Sequence, residues 1–106
     1  MDMSSIMQQA QQMQQKMKEI QGELAKKSIV GSAGGGMVNV TVNGQGDVLA
    51  VQIEKALITP DESKMLEDLI VSATNEAIRK AKELSKQELG QLTGGLNLPG
   101  LTNFFQ

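Results

Sequence analysis

Apolar residues recur at helical spacing along the first 27 positions. They fall alternately three and four residues apart, at Met3, Ile6, Ala10, Met13, Met17, Ile20 and Leu24. This heptad pattern predicts a helix over residues 3–27 with a continuous apolar seam. A helix of about 37 Å would overhang a domain whose radius of gyration is about 13 Å. We therefore favour contact of part of the seam with a second subunit; packing of the seam on the chain's own second helix is the alternative.

Alternating apolar and polar residues over 28–54 predict three antiparallel strands with one apolar face. The first, at residues 28–33, is expected at an edge of the sheet, and the glycines at 34–36 make a turn. The sequence at residues 43–47 is a strong hairpin signal between the second and third strands. The residues expected to face the core are Ile29, Val38, Val40, Val42, Leu49, Val51 and Ile53.

A second helix is predicted over residues 60–89. Thr59 and Glu62 have the spacing of a capping box at its start, and Gly90 is expected to end it. One face is apolar and contains three alanines, which allow another backbone to approach closely. The residues of this face are Leu66, Ile70, Ala73, Ala77, Ala81 and Leu84.

The order of these elements predicts an α+β fold of helix, three antiparallel strands and helix. Residues 1–90 are expected to form a single dimerising domain, and the Gly-, Leu- and Pro-rich residues 91–106 a flexible tail. The chain has two aromatic residues, Phe104 and Phe105, so the core must be aliphatic. Such a core is small for 106 residues, and a second subunit would help to complete it.

The composition argues against an enzyme. The chain contains no His, Cys, Tyr or Trp, which removes the usual nucleophile–base pairs, thiolate nucleophiles and most zinc sites. The glycines of residues 31–36 follow a helix and precede a strand, whereas a phosphate-binding loop follows a strand and opens a helix. We therefore expect no catalytic residues, cofactor, metal ion or small-molecule substrate. No signal segment or membrane span is apparent, so a cytoplasmic protein without a membrane partner is expected.

The net charge is −2, but the charges are unevenly distributed. Residues 1–27 and 76–90 each carry +1, and residues 37–68 carry −4. Four residues of the second helix lie within about 60° of arc, opposite the alanine face; this basic stripe consists of Asn75, Arg79, Lys82 and Lys86. It is either a ligand-binding surface or an ordinary solvated helix face with i,i+4 pairs.

Two segments resemble a known family. Residues 34–44, Gly-Gly-Gly-Met-Val-Asn-Val-Thr-Val-Asn-Gly, resemble its central hairpin, and residues 66–77, Leu-Glu-Asp-Leu-Ile-Val-Ser-Ala-Thr-Asn-Glu-Ala, resemble the start of its last helix. The family is YbaB/EbfC, the bacterial nucleoid-associated proteins. The resemblance implies a tweezer-shaped homodimer with helical prongs that bind DNA. By position, it implies binding by Lys16, Lys18, Lys26, Lys27, Arg79, Lys80, Lys82 and Lys86.

Together these observations predict a nucleoid-associated protein that binds DNA as a homodimer, with a nucleoid-organising or gene-regulatory role. Contacts from Lys and Arg to phosphates would supply most of the affinity. No aromatic residue is placed to stack on single strands, which favours duplex DNA. The alternative is a coiled-coil adaptor that binds a partner protein.

Overall fold

The computed structural model describes residues 2–96, with side chains for residues 2–92. It has the predicted α+β order of helix, three antiparallel strands and helix. Two single 3-10 turns, Lys55–Leu57 and Pro60–Glu62, connect the sheet to the last helix. The helices and strands are α1 (Met3–Lys26), β1 (Ser28–Ala33), β2 (Val38–Asn43), β3 (Val48–Ile53) and α2 (Ser63–Leu96).

The three strands form a meander with β2 in the centre. Val40 of β2 pairs with Gly31 of β1 on one side and with Val51 of β3 on the other, so these three residues share a face of the sheet. The pairing of β2 with β3 shifts at Thr41, where Leu49 is the extra residue of a bulge. The predicted turn at residues 34–36 is confirmed, since all three glycines have positive φ angles.

Helix α2 lies across β1 and β2, and the core forms between them. The predicted valine face of β2 and alanine face of α2 are confirmed, because Val38, Val40, Val42, Ala73, Ala77 and Ala81 are all at most 1% exposed. Gly31 makes this close approach possible: a Cβ there would overlap the Ala73 carbonyl oxygen and the Ala77 nitrogen. The helix backbone therefore rests directly on the β1 backbone.

The prediction that Leu49 and Val51 face a covered core is wrong for the described chain. Leu49 is 55% exposed and Val51 is 45% exposed. Val51 does lie on the α2 side of the sheet, beside the buried Val40. Because α2 covers β1 and β2, the same face of β3 stays open. Ile53, at the end of β3, is half-buried and packs against the core as predicted.

The capping box predicted for α2 does not form. The Thr59 side chain makes no capping hydrogen bond, and the backbone N–H of Glu62 donates to the Thr59 carbonyl at 3.1 Å. This bond closes a 3-10 turn, and the α-helical bonding begins at Ser63. Pro60 at the start of the turn has the φ angle that such a turn requires.

Helix α2 does not end at Gly90, as predicted, but continues to Leu96. Leu89 and Leu92, on either side of the glycine, are half-buried in grooves shared with α1. This burial offsets the cost of a glycine inside a helix, about 1 kcal/mol. Residues 91–96 of the predicted tail are thus helical, and residues 97–106 lie outside the described residues.

The two helices extend beyond the sheet, as the length of α1 predicts. The molecule measures 69 × 23 × 16 Å. The apolar seam of α1 is covered unevenly: Leu24 is 3% exposed near the sheet, whereas Met3 is 75% exposed at the far end. The seam therefore packs on α2 over its second half. Its first half is largely exposed, although Leu92 of α2 lines a groove with Ile6, Ala10 and Met13.

Candidate nucleic-acid interface

All four residues of the basic stripe are exposed on the outer face of α2. The stripe points outward because Ala73, Ala77 and Ala81 hold the opposite face against the sheet. Among the described residues, no carboxylate forms an ion pair with Arg79, Lys82 or Lys86. The three cations of the stripe therefore remain available to an external anion.

Lys82 and Lys86 also line a groove of about 640 Å³ between α2, the C-terminal part of α1 and the β2–β3 turn. Gln21 of α1 and Gln45 of the turn complete its polar lining. The Gln45 side-chain amide donates to the Gln21 carbonyl at 3.1 Å, which joins the turn to α1. Leu24, Ile78, Ala81 and Leu89 supply the apolar part of the lining. Two cations and two amides thus converge where the helices leave the sheet.

A second groove of about 420 Å³ lies farther along the helix pair. Lys16 and Gln12 line it from α1, and Leu92 lines it from α2. Lys16 is exposed, but Glu19 shares a shallow neighbouring pocket with it. An acid therefore lies close to Lys16, as Glu76 does to Arg79 of the basic stripe.

Two of the predicted DNA-binding lysines are engaged within the chain. The Lys80 ammonium lies 3.1 Å from a Glu76 carboxylate oxygen and donates to the Val30 carbonyl at 3.0 Å. The Lys27 ammonium lies 3.0 Å from a Glu88 carboxylate oxygen. These ion pairs neutralise both lysines locally and attach α2 to the start of β1. The basic stripe is therefore the stronger candidate for anion binding.

Glu76 of α2 accepts hydrogen bonds from both a lysine of its own helix and the backbone of β1. The hydrogen bond from Lys80 and then that from the Ser32 backbone N–H, at 3.2 Å, hold the pKa of the Glu76 carboxyl below its usual range. Both interactions favour the ionised form.

Lys18 and Lys26 are exposed on α1 and form no ion pair with the described residues.

Three amide side chains of the grooves, Gln12, Gln21 and Gln45, were not predicted as site residues. The abundance of glutamine in α1 indicates a helix surface that can form hydrogen bonds, but the site residues were predicted from charge. Gln45 is near the helices only because the β2–β3 turn packs on α1, where the Gly44 N–H donates to the Leu24 carbonyl at 2.7 Å. That tertiary contact leaves no local pattern in the sequence.

The described part of the chain offers little for other ligands. No group of three or more His, Cys, Asp or Glu side chains within it is arranged to hold a metal ion. None of the helices within residues 2–96 has an apolar stretch of the length needed to cross a bilayer.

Comparison with known proteins also indicates a DNA-binding family. The family model described as the YbaB/EbfC DNA-binding family matches residues 1–96. The chain belongs to this family. A nucleoid-associated protein of Desulfotalea psychrophila is 66% identical over 104 residues, covering 98% of each chain. A nucleoid-associated protein of Clostridium novyi is 48% identical over 101 residues, covering 95% of this chain and 89% of the other.

The fold also matches a solved structure. An uncharacterised protein from Helicobacter pylori superposes with a TM-score of 0.80 over 87% of this chain and 97% of that one, at 23% identity. This likeness supports the architecture alone. Membership of the YbaB/EbfC family confirms the resemblance found in the sequence and gives the chain a nucleoid-associated, DNA-binding role.

Proposed function

We propose that the chain is a non-catalytic protein that binds duplex DNA as a homodimer, mainly through phosphate contacts, with a nucleoid-organising or gene-regulatory role. DNA as the partner follows from the family. One observation carries the mode of binding: Arg79, Lys82 and Lys86 lie on one exposed helix face and form no ion pair with the described residues. Such cations neutralise phosphates without reading sequence.

A net charge of −2 does not prevent this binding. The excess acid lies in residues 37–68, in the sheet, its connections and the start of α2, whereas the basic stripe is later on α2. At physiological salt, the Debye length is about 8 Å, so more distant acids act weakly at the contact. The local sign of the surface therefore decides whether phosphate is bound.

The grooves favour a binding role over catalysis. Lys82, Ser85 and Lys86 are the groups of the larger groove that could act as acids, bases or nucleophiles, and no carboxylate lines it. Neither a carboxylate nor an imidazole is thus in place beside the serine hydroxyl to act as its general base. We expect a highly purified sample to hydrolyse neither ATP nor DNA; hydrolysis lost on mutating one carboxylate would contradict this.

The mode of binding is tested by replacing Arg79, Lys82 and Lys86 together with Gln. We expect affinity for a fluorescent duplex to fall about tenfold or more at fixed salt, because three phosphate contacts are lost per subunit. The control is Lys64→Gln, since Lys64 is also exposed on α2 but lies 3.2 Å from the Asp68 carboxylate. Unchanged affinity in the folded triple variant would contradict a role for the stripe.

The homodimer is supported by apolar surface that the single chain leaves open. Met3 and Ile6 of the seam are 75% and 48% exposed, and Val51 of β3 is 45% exposed. Light scattering at micromolar concentration should give about twice the chain mass. A monomer at every concentration would contradict the proposed assembly while leaving DNA binding to be judged separately.

A further inference from the structure

The β2–β3 turn is fixed by hydrogen bonds, both within itself and against α1. Asn43 is 6% exposed, and its Oδ1 accepts from the backbone N–H groups of Gln45 and Asp47, both at 3.0 Å. The Gly44 N–H donates to the Leu24 carbonyl at 2.7 Å. A Cβ at Gly44 would overlap that carbonyl oxygen, so the turn backbone lies directly on the α1 backbone. The turn is therefore a fixed part of the surface beside α1.

This turn holds the Gln45 side chain at one wall of the larger groove. The Gln45 Nε2 donates to the Gln21 carbonyl at 3.1 Å. A glutamine amide has two N–H donors and a carbonyl acceptor, so one N–H and the oxygen of Gln45 have no partner among the described residues. The Gln21 side chain is also exposed at this wall. Two amides with hydrogen-bonding capacity thus face the groove.

The opposite wall of the groove carries positive charge. Lys82 and Lys86 line it from α2, one helical turn or about 6 Å apart. No carboxylate belongs to the lining. Between the two walls the lining is apolar, and its residues are Leu24, Ile78, Ala81 and Leu89. The groove therefore combines cations on one side, neutral amides on the other side and an apolar floor.

We propose that this groove binds the sugar–phosphate backbone of one DNA strand, with the β2–β3 turn as a contact element opposite the lysines. The inference rests on the DNA binding proposed above and adds the neutral amides of Gln21 and Gln45 to the interface. Phosphate oxygens accept hydrogen bonds from lysine and from glutamine amides alike. The C–H surface of deoxyribose suits the apolar floor.

Charge and continuity select this occupant. Lys82 and Lys86 belong both to the basic stripe and to the groove, so a strand held by the stripe meets the groove at the same two side chains. The hydrogen bonds of the turn hold Gln45 in place before DNA binds. Such preorganisation lowers the entropy lost when the contact forms. An anionic strand is therefore the partner that the lining complements.

Neutral contacts to DNA differ from charged ones in their response to salt. Log K falls with log salt in proportion to the number of phosphates that cations neutralise, because counterions are released. A hydrogen bond from an amide releases no counterion. Loss of the Gln21 and Gln45 contacts should therefore lower the affinity by the same factor at every salt concentration.

The first test combines Gln21→Ala with Gln45→Ala. We expect the affinity for a fluorescent duplex to fall about tenfold, because two hydrogen bonds to phosphate are lost per groove, while the salt slope stays that of the parent. The matched control combines Gln14→Ala with Gln52→Ala, which removes exposed glutamines of α1 and β3 outside this groove. The control should bind as the parent does. Parental affinity of the Gln21 and Gln45 variant would overturn the proposal.

The second test adds a charge instead of removing a contact, so a loosened turn cannot explain its result. Gln45→Lys should raise the affinity and steepen the salt slope by about one to two, because a further phosphate is neutralised at each groove. Gln52→Lys has the same net charge and should keep the parent's slope. Equal slopes of these two variants would overturn the groove proposal. Parental binding by the triple Gln variant of the basic stripe would instead contradict the proposed function itself.

Discussion

Three glycines of this chain differ in why, or whether, the structure requires a glycine at that position. Gly31 lies under α2, where a Cβ would be 2.8 Å from the Ala77 Cα. Gly34 lies in the β1–β2 turn with φ +64°, and Gly22 lies exposed in α1 with free space around a Cβ. The sequence predicted the turn from its run of glycines, but a glycine required by a distant helix looks the same as a dispensable one.

Gly31→Ala should be strongly destabilising. The added methyl group would overlap backbone atoms of Ala73 and Ala77, which can move only if α2 shifts on the sheet. We expect a loss of about 3 kcal/mol in the free energy of unfolding, measured by urea denaturation at fixed protein concentration. The control, Gly22→Ala, should gain up to about 1 kcal/mol. Equal stability of the two variants would contradict the packing described.

Glu76 should make folding stability depend on pH in the acid range. Because the pKa of its carboxyl is lowered in the fold by Lys80 and Ser32, the ionised form stabilises the fold above the unfolded pKa of about 4.3. That contribution is lost as the pH falls through the lower folded pKa. Glu76→Gln should therefore lose less melting temperature than the parent between pH 6 and pH 3.

The control for this prediction is Glu67→Gln, which replaces an exposed acid outside any ion pair of the described residues. Its melting temperature should follow the parent across the same range. If Glu76→Gln and the parent respond identically to acid, the Glu76 carboxylate does not hold Ser32 and Lys80 in solution as described.

At the scale of elements, the periodicity of the sequence predicted the buried faces correctly, whereas local signals did not predict where α2 ends. The spacing of two in Val38, Val40 and Val42 and the helical spacing of the three alanines identified the two faces that meet in the core. The end of α2 was missed because Gly90 is a strong local stop signal, and the leucines that carry the helix past it act through contact with α1. The open face of β3 was missed because alternation identifies a face but not whether a helix covers it.

Gly90→Ala distinguishes a continuous helix from one that ends there. Inside a helix, Ala is favoured over Gly by about 1 kcal/mol, whereas at a left-handed cap Ala is disfavoured. Apart from the chain neighbours and the helix's own backbone, no atom of the described residues lies within 4 Å of a Cβ at this position. We expect Gly90→Ala to raise the urea midpoint and the helical circular dichroism. A lowered midpoint would indicate that α2 stops at Gly90, as the sequence alone suggests.

At the scale of the whole molecule, the core and the basic surface lie in different parts of an elongated structure. The sheet and the helix covering it form the core, and the two helices extend from the sheet for much of the 69 Å length. The basic residues of the proposed interface lie on those helices. The sequence predicted the stripe because it depends on one helix alone, but it missed the neutralisation of Lys27 and Lys80, which depends on contacts between elements.

The central claim is that exposed cations of α2 hold DNA through its phosphates, and the most direct test is duplex binding across a salt series. If about four to six phosphates are neutralised per dimer, log K should fall against log salt with a slope of about −4 to −5. Affinity should be near micromolar and nearly independent of sequence. Replacing Arg79, Lys82 and Lys86 with Gln should weaken binding and flatten the slope while the dimer persists. A triple variant that stays dimeric and binds with the parent's affinity and slope would contradict the account.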